Sequence, residues 1–235
     1  MKARTFFSAS ILAVLMLLPA FPTKAQTPAT KATVYFTSEI TPESLVKIYK
    51  ALGKEATGKV AVKISTGESA QSNHLRPELI GSLVHEVNGT IVECNTAYGG
   101  NRSNTAAHRR AIEQRGYGDI AEVDIMDAEG YIDLPVTDTK YLKYNRVGGH
   151  LSNYNFLINL AHFKGHAMGG FGGVLKNQSI GIATPEGKTL IHTAGRYDDP
   201  RYVFQNPSGQ DAFLESMAAA AQSVHDYFKG NTIYI

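Results

Sequence analysis

Lys59-Val60-Ala61-Val62-Lys63-Ile64, then Pro77 with Ile80, Leu83, Val84 and Val87 on one helical face, then Thr90-Ile91-Val92-Glu93-Cys94-Asn95: residues 59–95 read as strand, helix, strand. The two apolar runs are short and rich in β-branched residues, whereas the intervening apolar residues recur at helical spacing. Pro77 suits a first helical position, and Gly89 reads as the stop.

The same alternation extends outward. Upstream, Ala32-Thr33-Val34-Tyr35-Phe36-Thr37 reads as a strand. Thr41 and Pro42 then open a helix carrying Leu45, Ile48, Tyr49 and Leu52, stopped by Gly53. Downstream, residues 104–115 form a weaker helix ended by Gly116, and Ala121 to Met126 a further strand. A β-α-β-α-β-α-β order predicts an α/β fold: a three-layer, mostly parallel β-sheet with helices on both faces.

The second half is less regular. Tyr131 to Val136 and Leu142 to Val147 read as a small antiparallel insertion. Phe156 to Ala161 is the most apolar run and reads as a central strand. Gly165 to Gly173 follows, with five glycines in nine residues. Residues 211–229 make a helix with Phe213, Met217, Ala220, Val224 and Phe228 in one stripe, capped by Gly230. Thr232 to Ile235 begins a last strand, which either closes the sheet at an edge or marks the chain as a fragment truncated at its C-terminus.

The chain has 235 residues, 43% hydrophobic and 19% charged, an ordinary globular composition. Residues 1–25 read as a secretory signal peptide: Lys2 and Arg4, an apolar run from Phe6 to Phe21, and small residues at Thr23 and Ala25 before a cut at Gln26. The expectation is an exported protein, periplasmic or secreted, with residues 26–235 as one α/β domain. Losing Lys2, Arg4 and Lys24 and no acidic residue takes the formal charge from +2 to −1. Nothing in that charge argues for nucleic acid, or for a membrane after signal cleavage. The apolar run is short for a bilayer span, and no second one follows. Oligomeric state stays open.

Cys94 is the one cysteine, so an internal disulfide, a four-cysteine zinc site and a cysteine-ligated iron–sulfur cluster cannot be built from this chain alone. Its strand position favours a buried, inert thiol.

Ligands in parallel α/β sheets collect beyond the carboxyl ends of the strands. That rule selects three polar, glycine-bearing segments: Ser65-Thr66-Gly67-Glu68-Ser69, Asn95 to Arg102, and His162 to Asn177. The last gathers His162, Lys164, His166, Lys176 and Asn177 around Gly169, Gly170, Gly172 and Gly173. Glycines allow close backbone approach, and free N–H groups there could hold an anion. His162 and His166, four apart, have metal-ligand spacing on a helix, although Gly165 between them opposes a regular one. The alternative is a turn whose histidines bond carbonyls. His162, Lys164, His166 and Lys176 are expected to line one cavity with Thr66 and Asn95.

The segment is neither a P-loop nor a dinucleotide fingerprint, and no Gly-x-Ser-x-Gly elbow occurs. His192 reads as a structural residue in a short strand and His108 as part of a solvated helix face with Arg109 and Arg110. His85 and His225 read as surface residues. His74 could enter the same face as the glycine segment.

Lys63-Ile64-Ser65-Thr66-Gly67-Glu68, Ile91 to Gly100, Val123-Asp124-Ile125-Met126-Asp127 and Phe163 to Asn177 together resemble the domain-of-unknown-function family numbered three-six-two, over essentially the whole mature chain. Its members are often described as uncharacterised iron–sulfur centre proteins and carry ferredoxin-type cysteine motifs. This sequence has no such motif: the cluster-binding part either lies beyond Ile235 in a longer parent or is missing. A more distant resemblance is to lactate racemase-type proteins, in the order His166, Gly169-Gly170-Phe171-Gly172-Gly173, Lys176, His192. That resemblance implies His166 as an acid/base, Lys176 as the anchor of a nickel cofactor and His192 as a metal ligand. The Arg-Lys pair usual there is Leu175-Lys176 here.

Three functions follow as expectations. One is a protein binding a metal (iron or nickel) or another cofactor, with His162, His166 and His192 as ligands, His166 and Lys164 as catalytic groups, and Lys176, Asn177, the four glycines, Thr66 and Asn95 as cofactor contacts. Another is a racemase-like enzyme. The third is a non-catalytic binding protein for a small anion.

Overall fold

Val60, Ala61, Val62 and Lys63 are all buried, and strands pair with them on both sides. The computed structural model describes residues 31–235, of which Tyr35–Ile235 form one unit. The expected signal peptide lies outside the described residues.

In chain order the elements are α1 (Pro42–Ala51), β1 (Val60–Lys63), α2 (Pro77–Glu86), β2 (Gly89–Glu93), α3 (Thr105–Gln114), β3 (Val123–Ile125), β4 (Tyr131–Pro135), β5 (Tyr144–Gly148), β6 (Phe156–Asn159), β7 (Gly165–His166), β8 (Gly170–Phe171), α4 (Gly173–Gln178), α5 (Pro185–His192), α6 (Gln210–Tyr227) and β9 (Thr232–Tyr234). The main sheet runs β3-β2-β1-β6-β9, every neighbouring pair parallel.

The caps are local and chemical. Thr41 Oγ1 accepts from the Ser44 N–H at 3.1 Å while Ser44 Oγ accepts from the Thr41 N–H at 3.0 Å, a reciprocal capping box with Pro42 next to it. Asn104 caps α3 through the Ala107 N–H, and Thr184 caps α5 through that of Gly187.

Alternate residues of the strands feed two cores. Val60, Val62, Ile91, Phe156 and Ile158 pack with Ile80, Leu83 and Val84 of α2, Tyr49 of α1 and Ile112 of α3. Ala61, Val92, Cys94 and Leu157 face the other way, onto Val224 and Phe228 from the α6 end and Leu134 and Val147 of β4 and β5. Each such aliphatic side chain contributes about 1.5–3 kcal/mol by leaving water. The fold is a three-layer α/β sandwich, with β4–β5 as the antiparallel insertion.

Several expectations are corrected. No strand covers residues 32–37. Val34 and Phe36 are exposed, so that run finds no sheet to join. Gly89 is not a helix stop but the first residue of β2; Asn88, at φ 46°, makes the turn. A Cβ on Gly89 would stand 2.6 Å from Val62 Cγ2, and that close approach is what requires glycine. β6 is an inner strand, as expected, paired with β1 and β9, and β1 stands at the middle of the sheet. The last strand does sit at an edge, as β9 beside β6. Residues 165–173 are not all turn, because β7 and β8 pair antiparallel within them. His192 closes α5 rather than lying in a strand.

From β1 the chain adds β2 and β3 on one side, then returns to add β6 and β9 on the other. Between β1 and β6 the order reverses, and crossovers depart in opposite directions there, leaving a crevice at the strands' carboxyl ends. No helix among the described residues is long and apolar enough to cross a membrane.

Candidate functional site

A cavity of about 320 Å³ opens at this switch point. Lys63 and Ser65 reach it from the end of β1, Glu93 and Cys94 from β2, Ala161 and His162 from β6. The glycine-rich segment closes one side with Lys164, His166, Gly172, Gly173, Lys176 and Asn177, and α5 contributes Lys188 and His192. Tyr98 and Phe204 stand at the wall as a tilted pair, ring centroids 5.6 Å apart, both exposed.

The floor is an ion network. Lys63 Nζ donates to Glu93 Oε2 at 2.8 Å and to Asn177 Oδ1 at 3.1 Å, and also bonds the Ile64 carbonyl. Arg102 Nη1 approaches Glu93 Oε1 at 3.3 Å, and Nη2 pairs with Glu68. The Thr66 N–H and hydroxyl donate to Glu93 Oε1 at 2.8 and 3.0 Å. Burial would raise the Glu93 carboxyl, but Lys63 and Arg102 outweigh it and hold it far below the usual carboxylate range. Glu68 is shifted the same way: Arg102 outweighs its desolvation. Tyr98, desolvated and donating to Glu68 at 2.6 Å, is pushed up to about 12.

The remaining lysines lack such partners. Lys188 Nζ bonds the Ala183 carbonyl and no carboxylate among the described residues, and burial lowers its basicity against the opposing pull of Cys94 and Asp127. Lys176 Nζ has no hydrogen-bond or ion-pair partner among them; burial and Lys164 push it down to about 8. His166 Nδ1 accepts from the Gly169 N–H at 3.0 Å, which leaves the proton on Nε2; burial, then Lys176, push the ring down to about 4, so it stays neutral. His192 Nδ1 donates to the Lys188 carbonyl at 2.7 Å. Burial lowers its basicity too.

His162, Lys164, His166, Lys176, Asn177, His192, Gly172 and Gly173 therefore meet at one cavity, and His74 joins them. Thr66 and Asn95 do not line it. Thr66 is buried beneath, holding Glu93, and the Asn95 N–H donates to the Asp127 carboxylate at 3.0 Å. Gly169 and Gly170 also stay out of the wall, Gly169 in the turn between β7 and β8 and Gly170 as the first residue of β8. His108 is wholly buried, not solvated, 3.3 Å from both Thr66 Oγ1 and Asn95 Oδ1, and burial pushes it down to about 4.

The donor set does not fit the metal groups that the resemblances imply. Among the described residues no three His, Cys, Asp or Glu side chains converge on a point where an ion could sit. The Phe213 ring packs against both His166 and His192, at centroid distances of 6.0 and 5.0 Å. Cys94 is the lone thiol; its Sγ–H donates to the Ile182 carbonyl at 3.1 Å, and burial raises its pKa well above normal. An iron–sulfur cluster has no ligands here.

A family model described as "Domain of unknown function (DUF362)" matches residues 60–233. The chain belongs to the DUF362 family. That match runs from β1 to β9 and so contains every residue of the cavity wall. No curated protein and no solved structure matches the chain, so the distant similarity to lactate racemase-type proteins has no counterpart in these comparisons.

Sequence reasoning missed Lys63, Glu93, Arg102 and Lys188 as site residues. A signal was there: Lys63 and Glu93 are single opposite charges in otherwise apolar runs, and fully buried ionised groups are almost always paired.

Proposed function

We propose that this DUF362 protein binds a small organic anion, a carboxylate or phosphate, in the cavity at the carboxyl ends of β1, β2 and β6. One observation carries the reading. Five cationic side chains line the cavity (Lys63, Arg102, Lys164, Lys176 and Lys188) against two carboxylates, Glu68 and Glu93, both already engaged by Lys63 and Arg102. A buried cation without a counter-ion is costly, and an anionic ligand supplies one. Lys176 and Lys188 take the charge, Lys164 at the rim draws the anion in, and His166 and His192 offer neutral ring edges for hydrogen bonding. With residues 1–25 as an export signal, the site works outside the cytoplasm.

Calorimetric titration of the full chain with inorganic phosphate, pyruvate and phenylpyruvate tests this. Saturable binding that weakens with added salt, and at least about tenfold in Lys176→Met/Lys188→Met, is expected. Absence of binding by all three overturns the reading. The intact mass of the purified protein tests the racemase-like alternative: a covalent adduct on Lys176 supports it, and an unmodified lysine opposes it.

A further inference from the structure

We propose that Lys176 forms an imine with the carbonyl carbon of a 2-oxo acid bound in this cavity. The inference rests on the anion-binding reading and names the ligand class within it.

The geometry sets Lys176 apart from every other cation at the site. Lys63 and Arg102 are spent on Glu93 and Glu68, and Lys188 is tied to the Ala183 carbonyl. Lys164 is exposed at the rim. Lys176 alone is half-buried in the cavity wall with no partner among the described residues. The chain is arranged to put it there. Gly173 sits at φ 50°, where a side chain is strained, and a Cβ there would displace the Phe171 ring, whose tip lies 2.1 Å away. That turn starts α4 tight against the hairpin, and Lys176 follows one turn later.

A desolvated lysine beside other cations is the setting in which an amine is neutral and nucleophilic near neutral pH. At pH 8 about half of Lys176 is free amine, against about 0.3% for an unperturbed lysine. A simple anion would draw Lys176 back to its protonated form and make no use of this. A carbonyl next to a carboxylate uses both features: the carboxylate lies against Lys188 and Lys164, and the carbonyl meets the Lys176 amine.

The step balances without a redox partner. The Lys176 lone pair attacks the carbonyl carbon to form a carbinolamine. The former carbonyl oxygen then leaves as water, taking up both amine hydrogens, and a carbon–nitrogen double bond remains. His166, neutral with its proton on Nε2, lines the same cavity and would be the donor to the departing oxygen. Tyr98 and Phe204, an exposed pair in the cavity wall, favour an oxo acid with an apolar or aromatic tail.

The test is reductive trapping. The full chain is incubated with pyruvate or phenylpyruvate and cyanoborohydride, then mapped by peptide mass spectrometry. Lys176 is expected to be labelled at least about tenfold faster than any other lysine, faster with phenylpyruvate than with pyruvate. Its rate should rise as pH approaches about 8. Lactate, which has the carboxylate but no carbonyl, should compete without forming an adduct. Lys176→Arg, which keeps the charge, should abolish the adduct and retain anion binding. The wild-type peptide map gives an answer even if that variant does not fold. Labelling of Lys176 no faster than of other lysines, with pyruvate still bound, overturns the imine and leaves anion binding standing. Loss of all anion binding overturns both.

Discussion

Lys63 Nζ lies 2.8 Å from Glu93 Oε2 where two adjacent parallel strands end, and both side chains are at most 2% exposed. The pair closes the floor of the cavity, and Arg102 and Thr66 complete the shell around the carboxylate. Because Glu93 is already neutralised from below, the cations above it are left for a ligand.

Glu93→Gln removes the charge that Lys63 and Arg102 share. Leaving two buried cations short of a counter-ion should cost about 3–5 kcal/mol in denaturant unfolding. The same pairing sets the acid limb. Glu93 in the folded state titrates below its unfolded value of about 4.3, so below that pH the unfolded chain binds the extra proton. Its contribution is complete above about pH 4.3 and is lost as pH falls further. Stability measured from pH 6 downward should decline less steeply in Glu93→Gln.

Anion affinity should fall as pH rises through about 8. Lys176 is charged below that point and neutral above it, and a bound anion raises its pKa, so affinity is level in acid and declines in alkali. Titration with lactate, whose charge is constant across pH 6–10, should show this decline beginning near pH 8, and Lys176→Met should remove it.

Cys94 should be silent in the folded protein. Its thiol is buried, bonded to the Ile182 carbonyl and shifted away from thiolate. A disulfide reagent should react with less than about a tenth of the protein under native conditions and with all of it in denaturant.

Gly187→Ala should destabilise through sterics alone. A Cβ at Gly187, in the first turn of α5, would stand 2.0 Å from the Arg146 carbonyl oxygen of β5. Backbone must move to admit it, at a cost of about 1–3 kcal/mol. Because α5 carries Lys188 and His192, the melting temperature and phosphate affinity should fall together.

Much of the fold was legible. Short β-branched apolar runs located β1, β2 and β6, whose residues are buried on both sheet faces, and period-3.6 apolar patterns located α1 and α2, which bury one helix face. The strand-end rule selected loops that line the cavity, so the glycine segment and its lysines could be singled out. Local pattern misled where the outcome rested on a distant partner. Residues 32–37 have strand composition but no neighbour to pair with. His108 looked solvated beside Arg109 and Arg110, yet its side chain enters the core toward Thr66 and Asn95.

The order and type of most elements, the class of the sheet and the loops that line the cavity were thus written locally, because spacing, caps and turn residues act within a few positions. Which lysine is free was not. Lys63, Lys176 and Lys188 are the same residue type in the sequence. Glu93, thirty positions from Lys63, neutralises one of them, and the Ala183 carbonyl holds another. Lys176 is left against the cavity with other cations for company. Charge, burial and pairing depend on distances through space, and those exist only once β1, β2, α4 and α5 have packed together.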